Sequence, residues 1–162
     1  MFKAQVVILA GGQGSRLRPY TTVLPKPLLP LEDVPILEII IRQLKSYGLT
    51  RIVISTGYLA QLIEAYCGNG DQWGVKIRYV HEHKPLGTAG ALKLVPHLEN
   101  NFLVINGDTL TDMDFAAFLK WHTRHKAMAS IVIRERKIKN DFGVVEFDDK
   151  DNLLTYHEKP QQ

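Results

Sequence analysis

The sequence predicts an α/β fold built on a doubly wound, mainly parallel central sheet, and three observations predict it. Val6, Val7, Ile8, Leu9 and Ala10 form an unbroken apolar run, the pattern of a strand buried on both faces. Short apolar runs at 51–55 (RIVIS) and 102–105 (FLVI) alternate with stretches of helical apolar periodicity. A glycine-rich loop follows the first strand directly, at the end where open α/β sheets bind their ligands.

That loop, QVVILAGGQGSRLRPYTTVLPKPLLP over residues 5–30, carries the strongest chemical signal. Gly11, Gly12 and Gly14 let the backbone approach a ligand and turn its N–H groups toward anionic oxygens. Arg16 offers a planar fork for phosphate and Lys26 a compact point charge, with Arg18 between them. The prolines at 19, 25, 27 and 30 keep residues 19–30 out of a helix, so the cations are expected on an extended loop. The ensemble suits a polyphosphate lying along the end of a strand, although the glycines taken alone also serve as a simple turn. A dinucleotide fingerprint would need glycine at Leu17, and a P-loop would need Gly-Lys-Ser/Thr after four spacer residues, so both are excluded.

The elements follow in order. Asp33 caps, and Pro35 helps to start, a helix whose apolar face is Ile36, Leu37, Ile40, Ile41, Leu44 and Tyr47, stopped by Gly48. After the strand at 51–55 comes a short helix with Leu59, Leu62, Ile63 and Tyr66 on one face, ending near Gly68. Residues 75–80 (VKIRYV) alternate as a third strand. In 81–92 (HEHKPLGTAGAL), Gly87 and Gly90 flank Thr88, which can cap a helix running to about Pro96. The strand at 102–105 leads into the turn 106–109 (NGDT), where Asp108 is either a turn residue or a strand-end carboxylate able to hold Mg²⁺ beside phosphate. Thr111-Asp112 can cap a helix over 112–125, with Phe115, Phe118, Leu119 and His122 aligned. Residues 128–134, 142–147 and 153–157 read as further strands, so the chain passes from alternating β and α to mainly β.

Composition bounds the function. A chain of 162 residues with 45% hydrophobic and 23% charged residues is one domain-sized, ordinary globular unit. The net charge of +3 is modest and the cations are not clustered with aromatics, which disfavours nucleic acid and leaves room for a local anion site. The single Cys67 excludes an internal disulfide and a cysteine-based zinc site and fits a reducing cytoplasm. No apolar run approaches ~20 residues, so no membrane partner is expected. His81 with His83, and His122 with His125, lack a third ligand of clear spacing and read as surface or packing residues.

The loop with its GG-x-G-x-R pattern and downstream PKP closely resembles the N-terminal signature of the sugar-nucleotide pyrophosphorylases, the NTP:sugar-1-phosphate nucleotidyltransferases. The guanylyltransferase-like members are nearest in pattern. The PLGTAGAL segment, the strand-NGD element, FGVVEFD over 142–148 and EKP over 158–160 extend the resemblance in order and spacing. The DFG triplet at 141–143 has no accompanying kinase loop, lysine or HRD sequence, so a kinase is discarded.

The resemblance implies a Rossmann-like nucleotide-diphospho-sugar transferase fold in a single domain, residues 1–110 forming the nucleotide-binding half and 111–162 the start of a sugar-phosphate half. It implies Arg16 and Lys26 as catalytic residues and Leu9, Ala10, Gly11, Gly12, Gly14, Ser15, Glu82, Gly87 and Thr88 as nucleotide contacts. Gly143, Glu158 and Lys159 would take the sugar phosphate, and Asp108 would hold Mg²⁺. Glu82, placed by counting back from Gly87, would read the base edge; a carboxylate only accepts, which tilts the choice toward guanine with its N1–H and N2–H₂. Glu82 also serves as a solvated loop residue, and Glu158-Lys159 as a solvated charge pair. NTP and a sugar 1-phosphate are the expected partners of a cytoplasmic homo-oligomer. A second aspartate of the family's metal site would lie beyond Gln162, so the chain is read as truncated on its C-terminal side and of low activity alone. A non-catalytic sugar-nucleotide sensor and a uridylyl-, thymidylyl- or cytidylyltransferase remain the other readings.

Overall fold

A computed structural model describes residues 4–84, 86–135 and 142–158. The chain divides into two units, Met1–Ala127 and Met128–Gln162.

The first unit is a four-stranded parallel sheet with helices on its faces. Its strands are β1 (Gln5–Ala10), β4 (Arg51–Thr56), β5 (Lys76–His81) and β6 (Phe102–Asn106), in the order β5-β4-β1-β6. Between β1 and β4 lie a two-stranded hairpin, β2 (Pro30–Leu31) with β3 (Val34–Pro35), and the helix α1 (Ile36–Ser46). Helix α2 (Ala60–Cys67) links β4 to β5, α3 (Gly87–Gly90) follows β5, and α4 (Phe115–His125) follows β6. The chain steps outward from β1 to β4 and β5, then returns to place β6 on the other side of β1. The strand order therefore reverses between β1 and β6, which opens a crevice at their carboxyl ends.

Strand β1 is central because its side chains serve both faces. Val6, Ile8 and Ala10 pack with Leu37, Ile40, Ile41 and Leu44 of α1, Ile63 of α2, and Phe115 and Leu119 of α4. Val7 packs on the opposite face with Val53 and Val95. Burial of each such aliphatic side chain contributes roughly 1.5–3 kcal/mol, so this strand is held firmly on both faces. Its carboxyl end is the fixed platform from which the glycine loop departs.

Several elements differ from the sequence-based expectation. Asp33 does not cap α1; it lies in the tight turn of the β2–β3 hairpin, and Pro35 occupies the cap position with no side-chain bond. Residues 15–28 are not simply extended, because single 3₁₀ turns at Ser15–Leu17, Tyr20–Thr22 and Lys26–Leu28 are compatible with prolines that forbid an α-helix. Thr88 is no cap either: Leu86 precedes α3, which lasts one turn and passes into a 3₁₀ turn at Ala91–Leu94, since Gly87 and Gly90 make a poor helix. Helix α4 begins at Phe115, capped by Asp114, whose Oδ1 accepts from the Ala117 N–H at 2.8 Å. Thr111 instead accepts from the Met113 N–H.

In the second unit β7 (Val144–Phe147) pairs antiparallel with β8 (Leu153–His157). Asp148 closes their turn, its Oδ1 accepting from the N–H groups of Lys150 and Asn152. The expected strand at 128–134 is absent: residues 128–135 form neither helix nor strand. β-branched residues become a strand only where a neighbour supplies ladder bonds, and here Ile131 and Ile133 stand 83% and 88% exposed.

Candidate active site

The crevice at the carboxyl ends of β1 and β6 is a cleft of about 560 Å³. It brings together twelve residues singled out from the sequence: Leu9, Ala10, Gly11, Gly12, Gly14, Ser15, Arg16, Lys26, Glu82, Gly87, Thr88 and Asp108. Gly143 and Glu158 belong to the second unit, where Gly143 packs on the Tyr156 ring and Tyr156 donates its hydroxyl to Glu158. Lys159 lies outside the described residues.

The glycine loop is shaped by Gly14, which sits at φ 61°, the left-handed region that disfavours a side chain. Its carbonyl accepts from the Leu17 N–H and from the Thr21 hydroxyl, both at 2.9 Å. With that oxygen tied down beneath the loop, Ser15 and Arg16 start a 3₁₀ turn on the rim, where Arg16 is exposed. Thr21 itself is buried, 1% exposed. It was not singled out from the sequence, because a threonine between prolines carries no local sign that its hydroxyl reaches back seven residues.

At one end of the cleft the Glu82 carboxylate lies against Gly11, and Ser55 donates to its Oε1 at 2.8 Å. At the other end Lys26 Nζ stands 2.5 Å from Asp108 Oδ2, both side chains being about one-third exposed. The NGD turn is docked on β1 by the Gly107 N–H, which donates to the Leu9 carbonyl at 2.8 Å. Gln13, Leu17, Pro27, Ala91 and Asn106 complete the walls. Asn106 stands in the motif read for Asp108, while Gln13 and Ala91 have no sequence signal apart from their place in the loops.

Arg16 on the rim, Lys26 at the far end and the glycine loop along the wall suit a polyanion; the Glu82 end suits a group rich in hydrogen-bond donors. Asp108 is a hard oxygen donor beside the cation site, the chemistry Mg²⁺ uses when phosphate oxygens supply its other ligands. Among the described residues no group of three or more His, Cys, Asp or Glu side chains could hold a metal alone. No helix among the described residues is long and apolar enough to cross a membrane.

Comparison with known proteins bears on this site. The UTP–glucose-1-phosphate uridylyltransferase of Synechocystis sp. is 34% identical over 171 residues, covering 96% of this chain and 44% of that protein. The mannose-1-phosphate guanylyltransferase of Mycobacterium tuberculosis is 34% identical over 161 residues, covering 98% and 45%. The chain thus spans less than half the length of these two relatives. Among solved structures, a Bacillus anthracis protein described as a glucose-1-phosphate thymidylyltransferase, crystallised with sucrose, superposes with a TM-score of 0.71 at 30% identity, covering 97% of this chain and 65% of that one. The nucleotidyl transferase family model matches residues 5–162, which takes in the glycine loop, the two cations, the NGD turn and the β7–β8 hairpin alike. On that match, over almost its whole length, this chain belongs to the nucleotidyl transferase family.

Proposed function

We propose that the protein transfers a nucleotidyl group from an NTP, with GTP favoured, to a sugar 1-phosphate, giving an NDP-sugar and pyrophosphate. The observation that carries this reading is the convergence of the Gly11–Gly14 loop, Arg16, Lys26 and Asp108 in one cleft at the reversal of strand order. Family membership supports the reaction class, and relatives named as uridylyl-, guanylyl- and thymidylyltransferases share it.

In the reaction, an oxygen of the sugar phosphate attacks the α-phosphorus in line. The bond to the β-phosphate bridging oxygen breaks, and pyrophosphate leaves with the electron pair. The obstacle is repulsion between two polyanions, so the protein's work is positioning and charge stabilisation. The loop N–H groups cradle the triphosphate and Arg16 holds the departing pyrophosphate by a charge-assisted fork. Lys26 leaves Asp108 and bridges phosphates near the reacting centre. Asp108, a single hard-oxygen ligand, would hold Mg²⁺, which supplies neutralisation of the α-phosphate. Gly143, Glu158 and Lys159 are the residues proposed for the acceptor. Glu82 accepts from the base; guanine presents N1–H and N2–H₂ side by side, the pair of donors that a carboxylate matches. A lone buried cysteine is consistent with a cytoplasmic setting.

The test is pyrophosphate release by the full-length protein with a panel of NTPs against sugar 1-phosphates. GTP is expected to give the highest kcat/KM. Absence of turnover with every pair would overturn the reaction, and a pyrimidine nucleotide preferred over GTP would overturn the base assignment.

A further inference from the structure

Two polar side chains are fully buried at the end of β4, and they have different work. Thr56 Oγ1 lies 3.4 Å from the Val80 carbonyl and 3.0 Å from His81 Nδ1, contacts that close the β4–β5 edge. Ser55 makes no such edge contact: its hydroxyl donates across to Glu82 Oε1 at 2.8 Å. Glu82 is thereby held at two points on β4, because its own backbone N–H donates to the Thr56 carbonyl at 2.8 Å.

Gly11 supplies a third restraint. A Cβ added there would stand 2.5 Å from Glu82 Oε1, 3.1 Å from Cδ and 3.6 Å from Oε2. The carboxylate therefore lies across the space a side chain would fill. Gly11 is not at positive φ, so its backbone conformation does not demand glycine; the neighbouring carboxylate does. Strand β4 behind and the loop in front leave Glu82 one place to be.

We infer that Ser55 is a positioning residue for the nucleobase, acting through Glu82; this rests on the proposed function, in which Glu82 accepts from the base edge. A glutamate at a cleft wall otherwise turns freely about its last torsion. The Ser55 O–H occupies one lone-pair site of Oε1, and Gly11 fixes the plane. What remains is Oε2 and the other face of Oε1, a paired acceptor ready for two adjacent N–H donors. Ser55 lies below the floor of the cleft and touches neither phosphate cation, so its effect falls on the base and not on the triphosphate.

Binding of GTP and of inorganic tripolyphosphate, each with Mg²⁺, is measured by calorimetry, with thermal unfolding as a control on the fold. Ser55→Ala is expected to weaken GTP about tenfold and to leave tripolyphosphate within about twofold, since the lost bond is to a charged group. Ser55→Cys, which puts a weaker and slightly bulkier donor at the same place, is expected to fall between wild type and Ser55→Ala. Adding Ser55→Ala to Glu82→Ala is expected to change nothing further. Equal loss of both ligands, no loss of GTP, or the same loss in the Glu82→Ala background would each overturn the inference. Glu82→Ala separates the two levels. If it weakens GTP while Ser55→Ala does not, the role of Ser55 falls and the base contact stands. If Glu82→Ala leaves GTP unchanged, the base contact falls and takes Ser55 with it.

Discussion

Replacing Gly14 by Ala tests how the glycine loop is held in shape. Two separate terms oppose the new methyl group. At φ 61° and ψ 31° an alanine is in the left-handed region, which costs roughly 1–2 kcal/mol. Its Cβ would also meet Thr21 Cγ2 at 2.9 Å and Lys26 Cβ at 3.2 Å, against an optimum of roughly 3.5–4.0 Å for carbon pairs. Overpacking a buried contact of this kind costs roughly 1–3 kcal/mol, so Gly14→Ala should destabilise the first unit by about 2–5 kcal/mol. Thr21→Ser separates the terms. It deletes the clashing methyl and keeps the hydroxyl that donates to the Gly14 carbonyl. Alone it should cost about 1 kcal/mol for the lost buried methyl. In the double variant the sharper contact, on Thr21 Cγ2, is gone while backbone strain and the approach to Lys26 Cβ remain, so the combined loss should fall below the sum of the two by about 1 kcal/mol or more. Urea unfolding followed by the fluorescence of Trp73, buried in this unit, measures all four proteins. Because the same Cβ crowds the stem of Lys26, nucleotide affinity should fall in Gly14→Ala and recover partly in the double variant. Strict additivity of the two substitutions would show that the methyl contact is not what excludes a side chain at Gly14.

Two more outcomes follow from particular contacts. Arg16→Ala should weaken Mg-NTP binding by about 1.5–3 kcal/mol in calorimetry, the value of a hydrogen bond to a charged group, and unchanged affinity would place the triphosphate elsewhere. Glu38, 9% exposed, is held below its ordinary value of 4.5 chiefly by the Tyr66 hydroxyl and then by Arg42, so its ionised form contributes stability above pH 4.5 that is lost as acid protonates it. Tyr66→Phe should lower stability at neutral pH by about 1.5 kcal/mol and flatten the fall of stability below pH 4.5; acid limbs of equal steepness in the two proteins would refute that linkage.

The parts of the fold legible in the sequence were those with local causes. β1 and β4 announced themselves because strands packed on both faces run largely apolar, β6 because Leu103 and Ile105, its core-facing residues, stand in an apolar run, and α1 because its face must match that core. The loop of glycines and cations was legible because its chemistry is contained in one stretch of chain. Asp33 misled because hairpin turns and helix caps favour the same residue type, and the β2–β3 pairing decided between them. Residues 128–134 misled because β-propensity is expressed only where a partner strand waits. Ser55 and Thr21 were invisible for a different reason: each acts through one hydroxyl on a group 27 or 7 residues away, and nothing in a serine at a strand end tells which loop will come to rest beside it.

The Lys26–Asp108 pair has its meaning in what it leaves undone. A contact of 2.5 Å between side chains 38% and 31% exposed contributes little to stability, because water screens it and the long Lys26 side chain is ordered to make it. Its two members are nevertheless brought together from distant segments by firm backbone contacts, the NGD turn bonded to Leu9 and the Lys26 turn closed by the Leu29 N–H on the Lys26 carbonyl. Weak pairing on a firm frame is what an exchange of partners requires. Under the proposed function, an arriving triphosphate gives Lys26 a stronger anionic partner, and a hard cation gives Asp108 a stronger one. Each gain offsets the loss of the resting pair, and neither charge is left bare before or after. Under that function, a frame held by these backbone bonds lets the cost of aligning the groups be met when the protein folds and not when substrate binds, which is the condition for electrostatic stabilisation of two polyanions driven together.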